Sequence, residues 1–263
     1  MILRSVLRTA AREYGLSLLF VLLALGVWEI LVRAFQVADY VLPPPSQILS
    51  RVVTARYTLL GHAWVTLQEA LLGFVLGATA GTLFAIAMAR SRVVERMLYP
   101  LVISSQTFPK EALAPVFLMW FGFGIFPKVI IAGLISFFPV VINTTRGLLT
   151  VDPLILDLMR ALSASQRQVF LKVRLPNAIP YQFAALKICI TLSVIGAVVG
   201  EFVGASAGLG HLIRLSNSEL ATDLMFAALI VLGMMGTLLF LIVEGMERRL
   251  MRRWGGVPEA VGR

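Results

Sequence analysis

The chain has 263 residues, of which 59% are apolar and 14% charged, with a mean hydropathy of +0.89 and a net charge of +9. A soluble domain carries about 25% charged residues, so this composition cannot cover its own core with polar surface, and lipid must be part of its solvent. Nucleic-acid binding is a poor account of the basic balance, because the cations lie in short clusters between apolar runs, as the positive-inside rule arranges them.

Six candidate spans follow in order, at about 16–35, 66–89, 97–121, 126–147, 178–203 and 222–245. The first apolar run follows Arg4, Arg8 and Arg12 without a small-x-small cleavage site, and is expected to remain as an uncleaved span. Pro43-Pro44-Pro45-Ser46 after it is a rigid extended stretch. Ser46 is placed to cap a short external helix through Ile48 and Val52, although an ordinary connection serves as well. The third span is the least secure, since Pro100, Pro109 and Pro115 bend or break a helix. Alternate connections hold fourteen cations against four, the fourteen including Arg90, Arg92 and Arg96, Arg160 to Arg174, and Arg248 to Arg253. That asymmetry puts both ends in the cytoplasm, which requires an even number of spans and favours six over five. The expected fold is all-α, a polytopic membrane protein forming one domain over 1–263.

Small residues recur every four positions at Gly73, Gly77 and Gly81, and again at Gly196, Gly200, Gly204 and Gly208. Such faces let helices approach closely in lipid, for packing within the chain, for contact with a second copy, or for a gate. Ionisable groups inside a bilayer cost roughly 2.5–3.5 kcal/mol at the centre, so each needs a reason. Lys110 and Glu111, beside Pro109, fit an interrupted helix lining an aqueous pathway. Glu201 in the glycine series, Asn143 after Pro139, and Trp120 are further pathway candidates, with membrane boundaries as the alternative placement. Glu29 and Glu69 read as interfacial, and His62 and His211 as ordinary surface residues. Phe108, Trp120, Phe121, Phe137 and Phe138 are packing or interface aromatics, or faces on which a flat ring stacks. Two histidines and the lone Cys189 leave little for a metal site.

Residues 150–180 spend about 30 positions on one cytoplasmic connection, more than a simple link needs. Asp152-Pro153 is a helix start, since the carboxylate caps free N–H groups and proline is tolerated at the first position. Leu154, Leu158 and Leu162, with Ile155, recur at helical spacing opposite Asp157 and Arg160. Ser163 or Ser165, with Gln166 or Gln168 three residues on, caps a second short helix. Pro176 and Pro180 mark entry to the next span. Such an amphipathic helix either lies on the headgroups or docks a cytoplasmic partner.

This loop resembles the signature loop of permease subunits of bacterial ATP-binding-cassette importers: Glu-Ala-Ala, three residues, Gly, nine residues, Ile-x-Leu-Pro. The matching positions are Asp157-Leu158-Met159, Ser163, Val173 and Leu175-Pro176. Serine in place of the turn glycine must either avoid a left-handed conformation or accept strain. The likeness covers about residues 60–254. SQTFPKEALAPVFLMWFGFG (105–124), FFPVVINTTRGL (137–148) and GEFVGASAGLGHLI (200–213) resemble the nitrate, sulfonate and taurine permease family, nearest its riboflavin and thiamine-pyrimidine-precursor branch.

The resemblance implies a homodimeric pathway in the bacterial inner membrane, two cytoplasmic ATPase subunits, and an external solute-binding protein. Leu154, Asp157, Leu158, Arg160, Ala161, Leu162, Ser163, Val173, Leu175 and Pro176 would couple this chain to the ATPase. No catalysis, and no cofactor, is expected on this chain, with ATP and magnesium on the ATPase. The sequence agrees on one independent point: it has no G-x-x-x-x-G-K-[ST] phosphate loop. The solute implied is riboflavin or a vitamin precursor such as thiamine pyrimidine, with sulfonate, taurine or nitrate as the alternative. A secondary transporter would be expected to show internal repeats, and a membrane enzyme a His–carboxylate or metal constellation; neither pattern is evident.

Overall fold

A computed structural model describes the backbone of residues 2–253, and the side chains of 15–252 other than Ser17. Arg4, Arg8, Arg12 and Arg253, which enter the charge asymmetry, have side chains outside the described residues. The α-helices are α1 (Ile2–Ala34), α2 (Pro45–Thr54), α3 (Arg56–Arg90), α4 (Arg92–Ser104), α5 (Ala114–Phe121), α6 (Ile125–Leu149), α7 (Pro153–Ala161), α8 (Gln166–Val169), α9 (Leu175–Gly204), α10 (Leu209–Ser218) and α11 (Thr222–Arg253). Short 3₁₀ turns lie at Ser105–Thr107 and Lys110–Leu113, and a π turn at Phe170–Arg174. Among the described residues the chain is all-α. Four helical runs are long and apolar enough to cross a membrane: Arg56–Arg90, Ile125–Leu149, Gln166–Gly204 and Thr222–Arg252. They contain four of the predicted spans, and α1 contains the first.

The predicted third span, 97–121, is not one helix. Pro100 is tolerated within α4, which ends at Ser104; a 3₁₀ turn follows, and then Phe108 and Pro109 are both extended. Pro115 falls in the first turn of α5, where its missing N–H costs little. The span therefore breaks at the extended pair Phe108–Pro109, as the bias of a residue before proline towards extended backbone favours.

The chain groups into two compact units. One runs to Leu60 and includes Leu212–Ile230; the other holds Gly61–His211 and the chain from Val231. In the first, Ser46 does not cap α2, which starts at Pro45 with Pro44 as its N-cap. The Ser46 N–H and hydroxyl instead donate to Glu29, at 3.0 and 2.8 Å, and Arg33 donates to the same carboxylate at 2.6 Å. Glu29 thus anchors the start of α2 to the end of α1. Trp28 meets Phe226 edge-on, and Thr222 donates to the Tyr40 carbonyl at 2.6 Å.

The second unit is organised on α6. A methyl added at Gly73 would meet Ala132, at Gly77 the Gly133 carbonyl, and at Gly81 the Phe137 carbonyl at 2.9 Å; at Gly196 it would meet the Ala132 backbone at 2.7 Å. Glycines at four-residue spacing on α3, and Gly196 on α9, thus let both helices press closely against the same stretch of α6. The α6–α9 contact is further fixed by a reciprocal pair. The Ser136 hydroxyl donates to the Cys189 carbonyl, and the Cys189 thiol to the Ser136 carbonyl, both at 3.1 Å. Ala70, Ile190, Val194, Ala197, Leu239 and Val243 fill the core between α3, α9 and α11.

Candidate docking helix and buried polar cluster

The 150–176 connection forms two capped pieces. The Asp152 carboxylate accepts from the Leu154 N–H at 2.9 Å, closing the start of α7. At its other end the Ser163 N–H reaches the Arg160 carbonyl and the Ala164 N–H the Met159 carbonyl, both at 2.9 Å. This bond pair is a Schellman ending, which requires a left-handed residue. Ser163 supplies it with φ 53°, so the serine accepts the strain that a glycine would avoid. Of the two cap pairings open from the sequence, the chain uses Ser165 with Gln168, as a full capping box. The piece after it is not a separate short helix. From Gln166 it continues through the π turn into α9, with Pro176 at the entry to α9 and Pro180 within the helix.

With both ends held, α7 leaves its apolar face uncovered by this chain. Leu154, Leu158 and Leu162 are 75%, 58% and 67% exposed. Asp157 and Arg160 pair beside that stripe at 2.6 Å. Ala161 is the last helical residue and is exposed, while Val173, Leu175 and Pro176 are half-buried where the connection joins α9. The sequence reading missed Asn177. Its amide donates to the carbonyls of Gly147 and Thr150, both at 2.8 Å, and so ties the last turn of α6 to the first of α9. A cavity of about 390 Å³ lies beneath, lined by Asp152, Ile155, Lys172 and Asn177 with Leu250 and Met251 of α11.

Among the pathway candidates, Lys110 and Glu111 lie in the 3₁₀ turn after Pro109. The Lys110 ammonium sits 4.8 Å from the centre of the Phe138 ring, a cation–π placement. Trp120 is exposed, edge-on to Phe117, which also stacks with Phe121. Asn143 turns to its own helix and donates to the Pro139 carbonyl at 2.9 Å.

Glu201 is not on an open pathway. It is fully buried, and accepts from the Thr66 hydroxyl at 2.6 Å and from the Gly210 N–H. Thr66 in turn accepts from the Leu209 N–H at 2.8 Å, and His62 Nδ1 from the Gly208 N–H at 3.0 Å. Three consecutive amides at the start of α10, groups a helix cannot satisfy internally, are thus held by side chains of α3 and α9. His62 and His211 stack at 6.1 Å and are both half-buried, so neither is an ordinary surface residue. Glu69 is not interfacial: it is 1% exposed and paired at 2.7 Å with Lys128, itself 6% exposed. Gly208 does not continue the packing face of α9, which stops at Gly204. It turns the chain with φ 109°, and an added methyl would run into the Glu201 carboxyl. Gly200 packs on Lys128, and Gly204 on Phe123 and Leu118. Neither Glu69 nor Lys128 announces this cluster in the sequence, because the partners lie 59 positions apart; unexplained ions within apolar runs are the only signal.

Together these features define a polytopic helical membrane protein with an exposed, doubly capped helix between two of its spans. Comparison with known proteins gives the family. Residues 73–255 match the binding-protein-dependent transport system inner membrane component family, and the chain belongs to it. It is 36% identical to the formylaminopyrimidine transport permease protein ThiX of Halalkalibacterium halodurans, over 89% of this chain and 93% of that protein. It is 33% identical to the riboflavin transport system permease protein RibX of Chloroflexus aurantiacus, over 95% and 94%. Among solved structures, an inward-facing MetNI methionine ABC transporter chain shares the fold at a TM-score of 0.62 and 20% identity, over 74% of this chain and 97% of that one. The chain is an ABC importer permease, and the connection that resembles the family's signature loop lies within the matched region.

Proposed function

We infer that this permease carries a small ring-bearing vitamin or vitamin precursor, of the flavin or aminopyrimidine kind, across the inner membrane. The observation that carries the coupling half of this reading is the face of α7. Three leucines stand in water on a helix whose two ends are both capped, and burying each removes about 1.5–3 kcal/mol of exposed apolar cost. α7 seats in a groove of an ATPase subunit, which holds ATP and magnesium, with Asp157 and Arg160 at the rim. Closure of the ATPase pair moves α7, and the motion passes through Leu175, Pro176 and the Asn177 tie into α9 and α6 as a rigid-body switch. Two copies of the chain form the pathway as one permease domain each, a solute-binding protein delivers from outside, and both termini lie in the cytoplasm.

The solute class rests on the names of the two relatives and on the aromatic surroundings of the broken third span. Phe108, Trp120 and Phe121 present exposed rings within the 97–121 stretch, and flat heterocycles stack on such faces. The test is uptake of labelled riboflavin and of labelled formylaminopyrimidine by cells carrying this chain with its ATPase and binding protein. Energy-dependent uptake of one of them, unaffected by excess taurine or nitrate, supports the reading. Uptake of taurine in place of both overturns the solute class, and failure of the ATPase to copurify with the chain overturns the coupling.

A further inference from the structure

The cluster of Glu69, Lys128 and Glu201 has an imbalance of charge and of hydrogen bonds. Two carboxyl groups and one ammonium lie together, each with less than a tenth of its surface exposed. Glu201 uses one oxygen on the Thr66 hydroxyl and the other on the Gly210 N–H. Glu69 gives one oxygen to Lys128, but its Oε2 is buried without a partner. Thr66, one turn before Glu69 on α3, bonds Glu201, and Lys128, which bonds Glu69, packs on Gly200 next to Glu201. Two carboxylates crowd around one ammonium out of water, and one Glu69 oxygen is buried without a donor, both of which are costly.

The cluster is also closed. A methyl at Gly208 or at Gly210 would already touch the Glu201 carboxyl, so the 205–210 segment is packed tightly against it. A proton needs no volume. We propose that Glu69 and Glu201 share one proton, held by Glu69 Oε2 and donated to Glu201, and that this proton site latches the 205–210 segment onto α3. One proton both neutralises the cluster and gives the orphan oxygen its bond. When it leaves, two negative carboxylates face each other. Glu201 swings away, and the Thr66 and Gly210 bonds that fasten the start of α10 are lost. The titratable groups around the site are His62 and Glu69 on α3, Lys128 on α6, Glu201 on α9 and His211 on α10. The two histidines lie at the Gly208 end of the latch, and Lys128 bonds Glu69 and packs on Gly200. This device does not depend on which solute is carried.

The test uses the full chain in lipid nanodiscs. Infrared spectroscopy with isotope-labelled glutamate looks for a protonated, hydrogen-bonded carboxyl at neutral pH, and amide exchange follows the peptide across 205–211 from mildly acid to alkaline buffer. In the wild type the carboxyl signal is present, and protection of the peptide, corrected for intrinsic rate, falls about tenfold as the pH rises, equivalent to 1.4 kcal/mol of latch stability. Glu69→Gln places an amide donor where the proton sits, so it removes the carboxyl signal and makes protection independent of pH. Should that variant fail to accumulate, Glu201→Gln offers a donor in the reverse direction and is expected to behave alike. Absence of the carboxyl signal in the wild type overturns the proposal. So does a loss of protection with pH that is as large in the glutamine variant as in the wild type, because the histidines would then be its source.

Discussion

Thr66→Val tests the latch at its centre. Valine has almost the shape of threonine but lacks the hydroxyl, which here donates to Glu201 at 2.6 Å and accepts from the Leu209 N–H at 2.8 Å. Thr66, Glu201 and Leu209 are all fully buried, so no water replaces either bond. Hydrogen bonds to a charged acceptor contribute about 1.5–3 kcal/mol, and an orphaned buried N–H costs about 1–3. Within membranes, measured bonds average only ~0.6 kcal/mol, because the unfolded chain also finds partners in the bilayer. Two bonds therefore set a floor near 1 kcal/mol, and the absence of solvent at this site moves the expected loss to about 3. Thr66→Ser keeps the hydroxyl and removes one methyl, costing about 1 kcal/mol. Equilibrium unfolding of the purified chain in mixed micelles measures both. Valine within 1 kcal/mol of wild type would refute the reasoning, as would serine as damaging as valine.

Four further outcomes are expected. Asp157→Arg breaks only an exposed ion pair, worth at most about 1 kcal/mol, so membrane levels stay unchanged on immunoblots while uptake is lost and ATP hydrolysis by the complex no longer responds to solute. Leu158→Asp likewise leaves the unfolding midpoint of the isolated chain in place but prevents copurification of the ATPase, because the side chain is 58% exposed before docking. Ser163→Gly relieves a left-handed residue at φ 53°, a strain of about 1–2 kcal/mol, against a glycine entropy cost of about 0.5–1; the same unfolding assay should show a gain of up to about 1 kcal/mol. Gly77→Ala directs a methyl at the Gly133 carbonyl and the Ser136 side chain, and overpacking of this kind costs about 1–3 kcal/mol, seen as a lowered midpoint and a loss of folded protein.

The docking helix was nearly complete in the sequence, because its determinants are local. Asp152-Pro153 starts it, leucines at helical spacing give it a face, and Ser165 with Gln168 begins the next piece; each of these interactions spans fewer than five residues. The choice at Ser163 was not legible. A serine there either avoids or accepts a positive φ, and the chain's commitment to the Schellman bonds from Ser163 and Ala164 decides it. The break in the third span was foreshadowed by three prolines, but not its place: Pro100 stays within α4 and Pro115 in the first turn of α5, while the chain is extended at Phe108 and Pro109.

Composition, charge asymmetry and apolar run length by themselves determined that this chain is helical and lives in lipid, since those properties follow from solvation of single segments. The spacing of short motifs likewise determined the exposed helix in the 150–176 connection. Only the tertiary structure decided the fate of the isolated ions. Glu69, Lys128 and Glu201 are each expensive in an apolar run, and a linear reading can move them to a boundary or a pathway but cannot join them. Their joining requires α3, α6 and α9 to approach at glycine distances, and that approach is a property of three helices packed together.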